Sequence, residues 1–205
     1  MSPQRPALVA AALSIVAGIA DAVGYITMGG VFAANMTGNT VLAGIAVAQH
    51  DYIRTWHHIA PLFCFFAGAM FSRLLLRLAH KSTPSLLIEA ALLALVDFLP
   101  IAAESKVLIV AVAMGIQASA VTHFAGSAIS TVVVTSTLAR TAEYALDRIW
   151  PGEKQPIVPS VANVRLLALT WAAYLIGATI GAFLVPLFAW PLLLPAAILV
   201  LLLFV

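Results

Sequence analysis

The sequence predicts an all-α integral membrane protein with a single transmembrane domain over 1–205. It holds six transmembrane helices and two re-entrant elements, each an extended piece followed by a half-helix, in a 3+3 inverted repeat. Three observations predict this. Charged residues are 9% of the chain, against about 25% in soluble proteins, and 63% of residues are hydrophobic. With a mean hydropathy of +1.07, so few charges cannot cover a water-facing surface. Six apolar segments approach or exceed the roughly 20 residues that a helix needs to cross about 30 Å of hydrocarbon. Two further segments depart from that pattern in the same way as each other.

The first apolar segment, 7–28, follows Arg5 and imitates a signal peptide. It runs on past Asp21 and more spans follow, so it is expected to be a retained first helix. Segment 31–49 is irregular from Val31 to Met36, then passes through Thr37-Gly38-Asn39-Thr40 into a short helical run. Thr accepts an unpaired first-turn N–H, so a half-helix capped by Thr37 is expected. Its length from 37 to 49, about 20 Å, reaches only part way through a bilayer. Full crossings follow at 59–79, 86–103 and 107–124. Segment 127–148 repeats the irregular pattern, β-branched over 129–134 and then Thr135-Ser136-Thr137 before a short helix. After a loop around Pro151, Pro156 and Pro159, two more crossings are expected at 166–185 and 187–205.

Basic residues set the orientation, because Lys and Arg concentrate in short cytoplasmic loops. With both odd segments re-entrant and the N-terminus inside, eight of the ten basic residues are cytoplasmic: Arg5, Arg73, Arg77, Lys81, Arg140, Arg148, Lys154 and Arg165. Arg54 and Lys106 lie outside. Full crossing by both segments gives the poorer split of seven to three. The expectation is six crossings with both termini cytoplasmic.

The two halves, about 7–103 and 107–205, echo each other. Ser14, Gly18 and Ala22 recur 97 positions later as Ala111, Gly115 and Ser119, and Thr37 recurs as Thr135. Gly68 and Ser72 match Gly177 and Gly181, the latter pair forming a GxxxG run that lets helices approach closely. Three crossings per half is an odd number, so the second half enters the membrane inverted, as in many secondary transporters.

The stretch Gly18-Ile19-Ala20-Asp21-Ala22, then Gly29-Gly30-Val31-Phe32 and Asn35-Met36-Thr37-Gly38-Asn39-Thr40-Val41, resembles the YoaK-like family of uncharacterised bacterial membrane proteins. Met114-Gly115-Ile116-Gln117 and Thr135-Ser136-Thr137-Leu138 resemble that family's second signature. Ala118 and Ser136 depart from the pattern, standing where the family tends to have Asn and Gly. The resemblance covers most of the chain and implies a bacterial inner-membrane protein, without an accepted activity. The paired extended-piece and half-helix elements also resemble, in shape alone, the substrate-holding parts of sulfate permeases and nucleobase transporters.

An inverted repeat places the two half-helix N-termini near each other at mid-membrane. Each carries unpaired N–H groups and about half a positive charge, so the pair favours an anion or a polar acceptor. The candidate solute ligands are Asn35, Thr37, Asn39 and Thr40 from one half, with Thr135, Ser136 and Thr137 from the other; plain capping of buried helix ends is the alternative. Asp21 lies deep in the first helix, where a lone charge costs at least ~2.5 to 3.5 kcal/mol. It is a candidate for proton coupling or for orienting the Thr37 loop, and Gln117 occupies nearly the equivalent place in the second half. Glu89 is a second proton-coupling candidate, or a partner of Arg73 or Arg77. Asp97, eight residues on, is expected near the interface, and His123 near the fifth helix's end.

Other classes recede. A net charge of +2 without a basic cluster argues against nucleic acid. Lone Cys64 excludes an intramolecular disulfide, and the spacing of His50, Asp51, His57 and His58 matches no ligand pattern, so no metal and no cofactor are expected. Asn35-Met36-Thr37 spells a glycosylation acceptor at a depth that hides it. No catalytic motif appears, and no enzyme is expected. The leading expectation is a small secondary transporter or channel, possibly homodimeric, for a small polar or anionic solute. The alternatives are a non-transporting membrane partner or assembly module, and an intramembrane enzyme using Asp21 and Glu89 on a lipid.

Overall fold

The computed structural model describes residues 4–120 and 161–204, together with Ala142 and Leu146, and the description below concerns these alone. They form seven helices: α1 Gln4–Thr27, α2 Met36–Ala48, α3 Tyr52–Ala79, α4 Thr83–Val96, α5 Ala103–Ala120, α6 Val161–Leu187 and α7 Leu193–Leu202. Four of them, α1, α3, α5 and α6, are long and apolar enough to cross a membrane. The expected helical membrane protein is therefore present. The segments expected as full crossings at 86–103 and 187–205 hold shorter helices. With 14 and 10 residues, α4 and α7 are about 21 and 15 Å long. Pro100 and Pro191 explain the difference, since proline donates no backbone N–H and pushes the preceding residue out of the helical region.

α1, α2, α4 and α6 run toward one end of the bundle, and α3, α5 and α7 run toward the other. One cavity joins Thr27 and Met28 at the end of α1 with Asp97 after α4, Ala103 at the start of α5, Val185 near the end of α6 and Pro191 before α7. A second joins Tyr25 and Gly29 to Gln49 after α2 and Arg54 at the start of α3. These ends share one side of the bundle, here the upper end. The start of α1 therefore lies at the lower end, as does the start of α6.

The core lies between α1, α4, α5 and α7. Leu13, Val16, Ile19 and Val23 of α1 meet Leu93 and Val96, Val110 and Met114, and Leu192 and Leu199. α6 packs along α1, and α3 along α5. Both crossings rest on glycine. A Cβ on Gly18 would overlap the Tyr174 carbonyl oxygen, and one on Gly177 would overlap that of Ile15. On the other pair, a Cβ on Gly115 would strike the Phe65 carbonyl, and one on Gly68 the Val112 carbonyl. Backbones this close gain dispersion contacts that lipid cannot displace. The outward faces of α3 and α6 expose Phe63, Phe66, Met70, Leu175, Ile176 and Phe183. Such a girdle suits hydrocarbon and would not suit water. At the upper end Tyr52, Trp56 and Trp190 are exposed, where amphipathic rings settle at headgroups.

After α1 the chain doubles back. Gly29 and Gly30 have φ of +81° and +75°, a left-handed conformation that residues with a Cβ rarely adopt. The reversal sends 31–35 back into the bundle, with Val31, Ala33 and Ala34 buried. α2 then returns to the upper end, against α3. The chain from Gly29 and Gly30 to Gln49 thus begins and ends beside the same cavity. The second odd segment, 127–148, lies outside the described residues.

Candidate functional site

The site is built where the tip of α2 meets α1 and α6. Asp21 sits six residues before the end of α1, about 9 Å from the upper end, and is 2% exposed. Its Oδ1 accepts the Ala34 N–H at 2.6 Å and the Asn35 N–H at 3.2 Å. The Tyr174 hydroxyl of α6 donates to its Oδ2. One acid thus ties together two long helices and the loop that introduces the short one. A carboxylate accepts several donors at once, and bonds to a charged acceptor are about twice as strong as neutral ones.

The loop holds its own shape. The Asn39 amide donates to the Phe32 carbonyl at 2.7 Å, and its Oδ1 accepts the Phe32 N–H at 2.9 Å. A half-buried residue outside any helix thereby has both backbone groups satisfied. Asn35 caps α2, its side chain accepting from the Gly38 N–H at 3.1 Å. The cap expected at Thr37 therefore falls two residues earlier. Asn is as good an acceptor as Thr, and from Asn35 the side chain reaches the N3 amide.

Of the expected solute ligands, Asn39 is buried and its amide is already engaged, while the Thr40 hydroxyl donates to the Met36 carbonyl at 2.9 Å. Thr37 is exposed at the tip of α2, one turn from Asp21's partners. Thr135, Ser136, Thr137 and His123 lie outside the described residues. Gln117 does not join Asp21. It donates to the Leu13 carbonyl at 3.1 Å, eight residues and about 12 Å down α1, and its Oε1 finds no hydrogen-bond partner among the described residues.

Glu89 is 0% exposed at the middle of α4, and neither carboxyl oxygen has a hydrogen-bond partner among the described residues. The pairing with Arg73 or Arg77 is not found. Both arginines are exposed on α3, because long basic side chains reach outward to water more cheaply than they enter the core. The contact between α3 and α4 here is instead a Ser72–Ser85 hydroxyl bond of 3.1 Å. Asp97, beyond α4, accepts the Leu192 N–H at 3.0 Å and fixes the start of α7 rather than facing Glu89. His57 and His58 have ring centroids 5.7 Å apart. Among the described residues no three His, Cys, Asp or Glu side chains form a group that could hold a metal ion.

Sequence reasoning missed Tyr174 and Phe32. A polar handle in an apolar helix needs a partner, which is the signal Tyr174 offered, but nothing in its spacing named Asp21. Phe32 enters through its backbone, which no side-chain pattern reveals.

Chemically the arrangement is a short helix whose positive tip is held by an acid inside an apolar bundle. The comparisons with known proteins agree with the membrane reading. The family described as "Protein of unknown function (DUF1275)" matches residues 9–205. The UPF0700 transmembrane protein YoaK of Bacillus subtilis (strain 168) is 31% identical over 187 residues, which are 85% of this chain and 81% of the relative. No solved structure matches. A match over nearly the whole length, with apolar helices of spanning length, leads to one conclusion: this chain is a multi-pass membrane protein and belongs to the DUF1275 family.

Proposed function

We propose that the chain is a small secondary transporter or channel of a bacterial inner membrane, which takes a small polar or anionic solute at the tip of α2. The observation that carries this reading is the broken span: chain 31–35 re-enters an apolar bundle and its short helix ends on a buried acid. Irregular backbone at membrane depth is tolerated where it is buried in protein or lines a cavity. Discontinuous helices of this kind hold substrate in transporters.

The inverted repeat supports the reading. Gly115 and Val112 each stand 97 positions after Gly18 and Ile15, and Gly177 and Tyr174 each stand 109 after Gly68 and Phe65. Those offsets convert one glycine-backed crossing into the other, contact for contact. α1 and α5 run in opposite directions, as inversion requires. On this reading the second half of the repeat contributes Thr135, Ser136 and Thr137 to the same site. The lower end carries Arg73, Arg77, Lys81 and Arg165, the upper end Arg54 and Lys106, which makes the lower end cytoplasmic.

Asp21 is the coupling group of this proposal. A proton added to its carboxyl removes the charge that holds two N–H groups and a hydroxyl, and loosens the tip of α2 from α1 and α6. Glu89, without a partner, is the second proton-coupling residue. No catalytic role is assigned to either.

Purified protein in liposomes should move at least one member of a panel of inorganic anions, organic acids and nucleobases, and Asp21→Asn and Thr37→Val should abolish that movement while the protein remains folded. No flux of any member by the wild type would end the reading. A second reading, a non-transporting assembly module, has one observation in its favour: Asp21, Asn35, Asn39 and Thr40 all bond within the chain. It predicts no flux and a stable complex recovered by cross-linking in native membranes.

A further inference from the structure

We propose that the upper-end cavity between α1, α2 and α3 is a binding site for a small organic monocarboxylate, separate from the tip of α2. The cavity is about 280 Å³, and its lining combines the polar Arg54, His58 and Gln49 with Tyr25, Leu42 and Ile45. Two features point to a ligand. His58 is 5% exposed, lines the cavity, and its Nδ1 has no hydrogen-bond partner among the described residues. Arg54 and His58, one turn apart on α3, both line this cavity. Among the described residues Arg54 is one of two Lys or Arg side chains at this end, and each lines a cavity. Lys106 shares its cavity with Asp97 and donates to that residue's carbonyl at 3.2 Å. Arg54 has no acid among its cavity's lining. The nearby Asp51 turns its Oδ1 to the Arg54 backbone N–H at 2.9 Å, as the cap of α3.

The chemistry follows from the lining. A guanidinium matches a carboxylate with two parallel N–H bonds, and an imidazole and an amide add donors. The Tyr25 ring stacks on Phe32 at 4.8 Å and, with Leu42 and Ile45, forms an apolar wall for a short hydrocarbon body. A carboxylate with a few carbons fits both parts; a bare inorganic anion leaves the wall unused. Gly29 and Gly30 shape the rim.

The site does not depend on transport, because binding is read on detergent-solubilised protein without flux. Calorimetric titration should show saturable binding of butyrate, about tenfold tighter than acetate from its two extra methylenes. Arg54→Gln should weaken butyrate at least tenfold, Arg54→Lys less, and His58→Phe should also weaken it. Arg54 is exposed, so its variants test the site even where His58→Phe fails to fold. Absence of butyrate binding, or binding unchanged in Arg54→Gln, would overturn the proposal. So would inorganic phosphate binding more tightly than butyrate, which would instead indicate a phosphate or lipid-headgroup site.

Discussion

At the scale of single residues the account turns on Asp21, whose carboxyl receives donors from the loop before α2 and from Tyr174. Tyr174→Phe keeps the ring and removes one of these bonds, so it should destabilise the protein by about 1.5–3 kcal/mol in detergent, seen as a lower melting temperature. No change would mean that the hydroxyl contributes nothing to holding α6. Asn39→Leu strands both backbone groups of Phe32 and should cost about 2–6 kcal/mol, at roughly 1–3 for each group. Melting equal to wild type would show that the loop does not rely on this residue. Asp21 was legible in the sequence because a charge inside an apolar run has few explanations. Its partners were not, since a tyrosine 153 positions away becomes a neighbour only through the packing of α6 on α1. The cap fell at Asn35 rather than Thr37 because both residue types cap well, and composition does not choose between positions two apart.

At the scale of elements, the four long helices were legible from apolar length, and the short α2 from the irregular stretch 31–36 before Thr37-Gly38-Asn39-Thr40. The ends of α4 and α7 were not. An apolar run such as 98–103 suits lipid whether or not it is helical, so hydropathy does not mark where the helix stops. The glycine crossings give the sharpest element-level expectation. Gly68→Leu and Gly177→Leu each drive a side chain into an opposing carbonyl, and should cost at least ~1–3 kcal/mol, the usual price of overpacking. Gly44→Leu, where a side chain meets open space, is the control and should leave melting unchanged apart from helix propensity. Equal effects at all three positions would remove the close crossings from the account.

At the scale of the whole molecule, the opposed helix directions, the matched glycine offsets and the segregated basic residues describe one bundle, which the proposal sets with its termini in the cytoplasm. In a Cys64→Ala background, Lys81→Cys should react with an impermeant thiol reagent only from the cytoplasmic face, and Arg54→Cys only from the outer face. The reverse pattern would invert the proposed orientation. The central claim is that the tip of α2 faces a watered solute path rather than lipid. Exposed Thr37 decides it, since thiol reagents attack the thiolate, which forms in water and not in hydrocarbon. In sealed membranes, Thr37→Cys in the same background should react with a small water-soluble thiol reagent, and solute should slow the reaction. Failure to react while Arg54→Cys labels fully would place the tip in lipid or sealed packing and contradict the account.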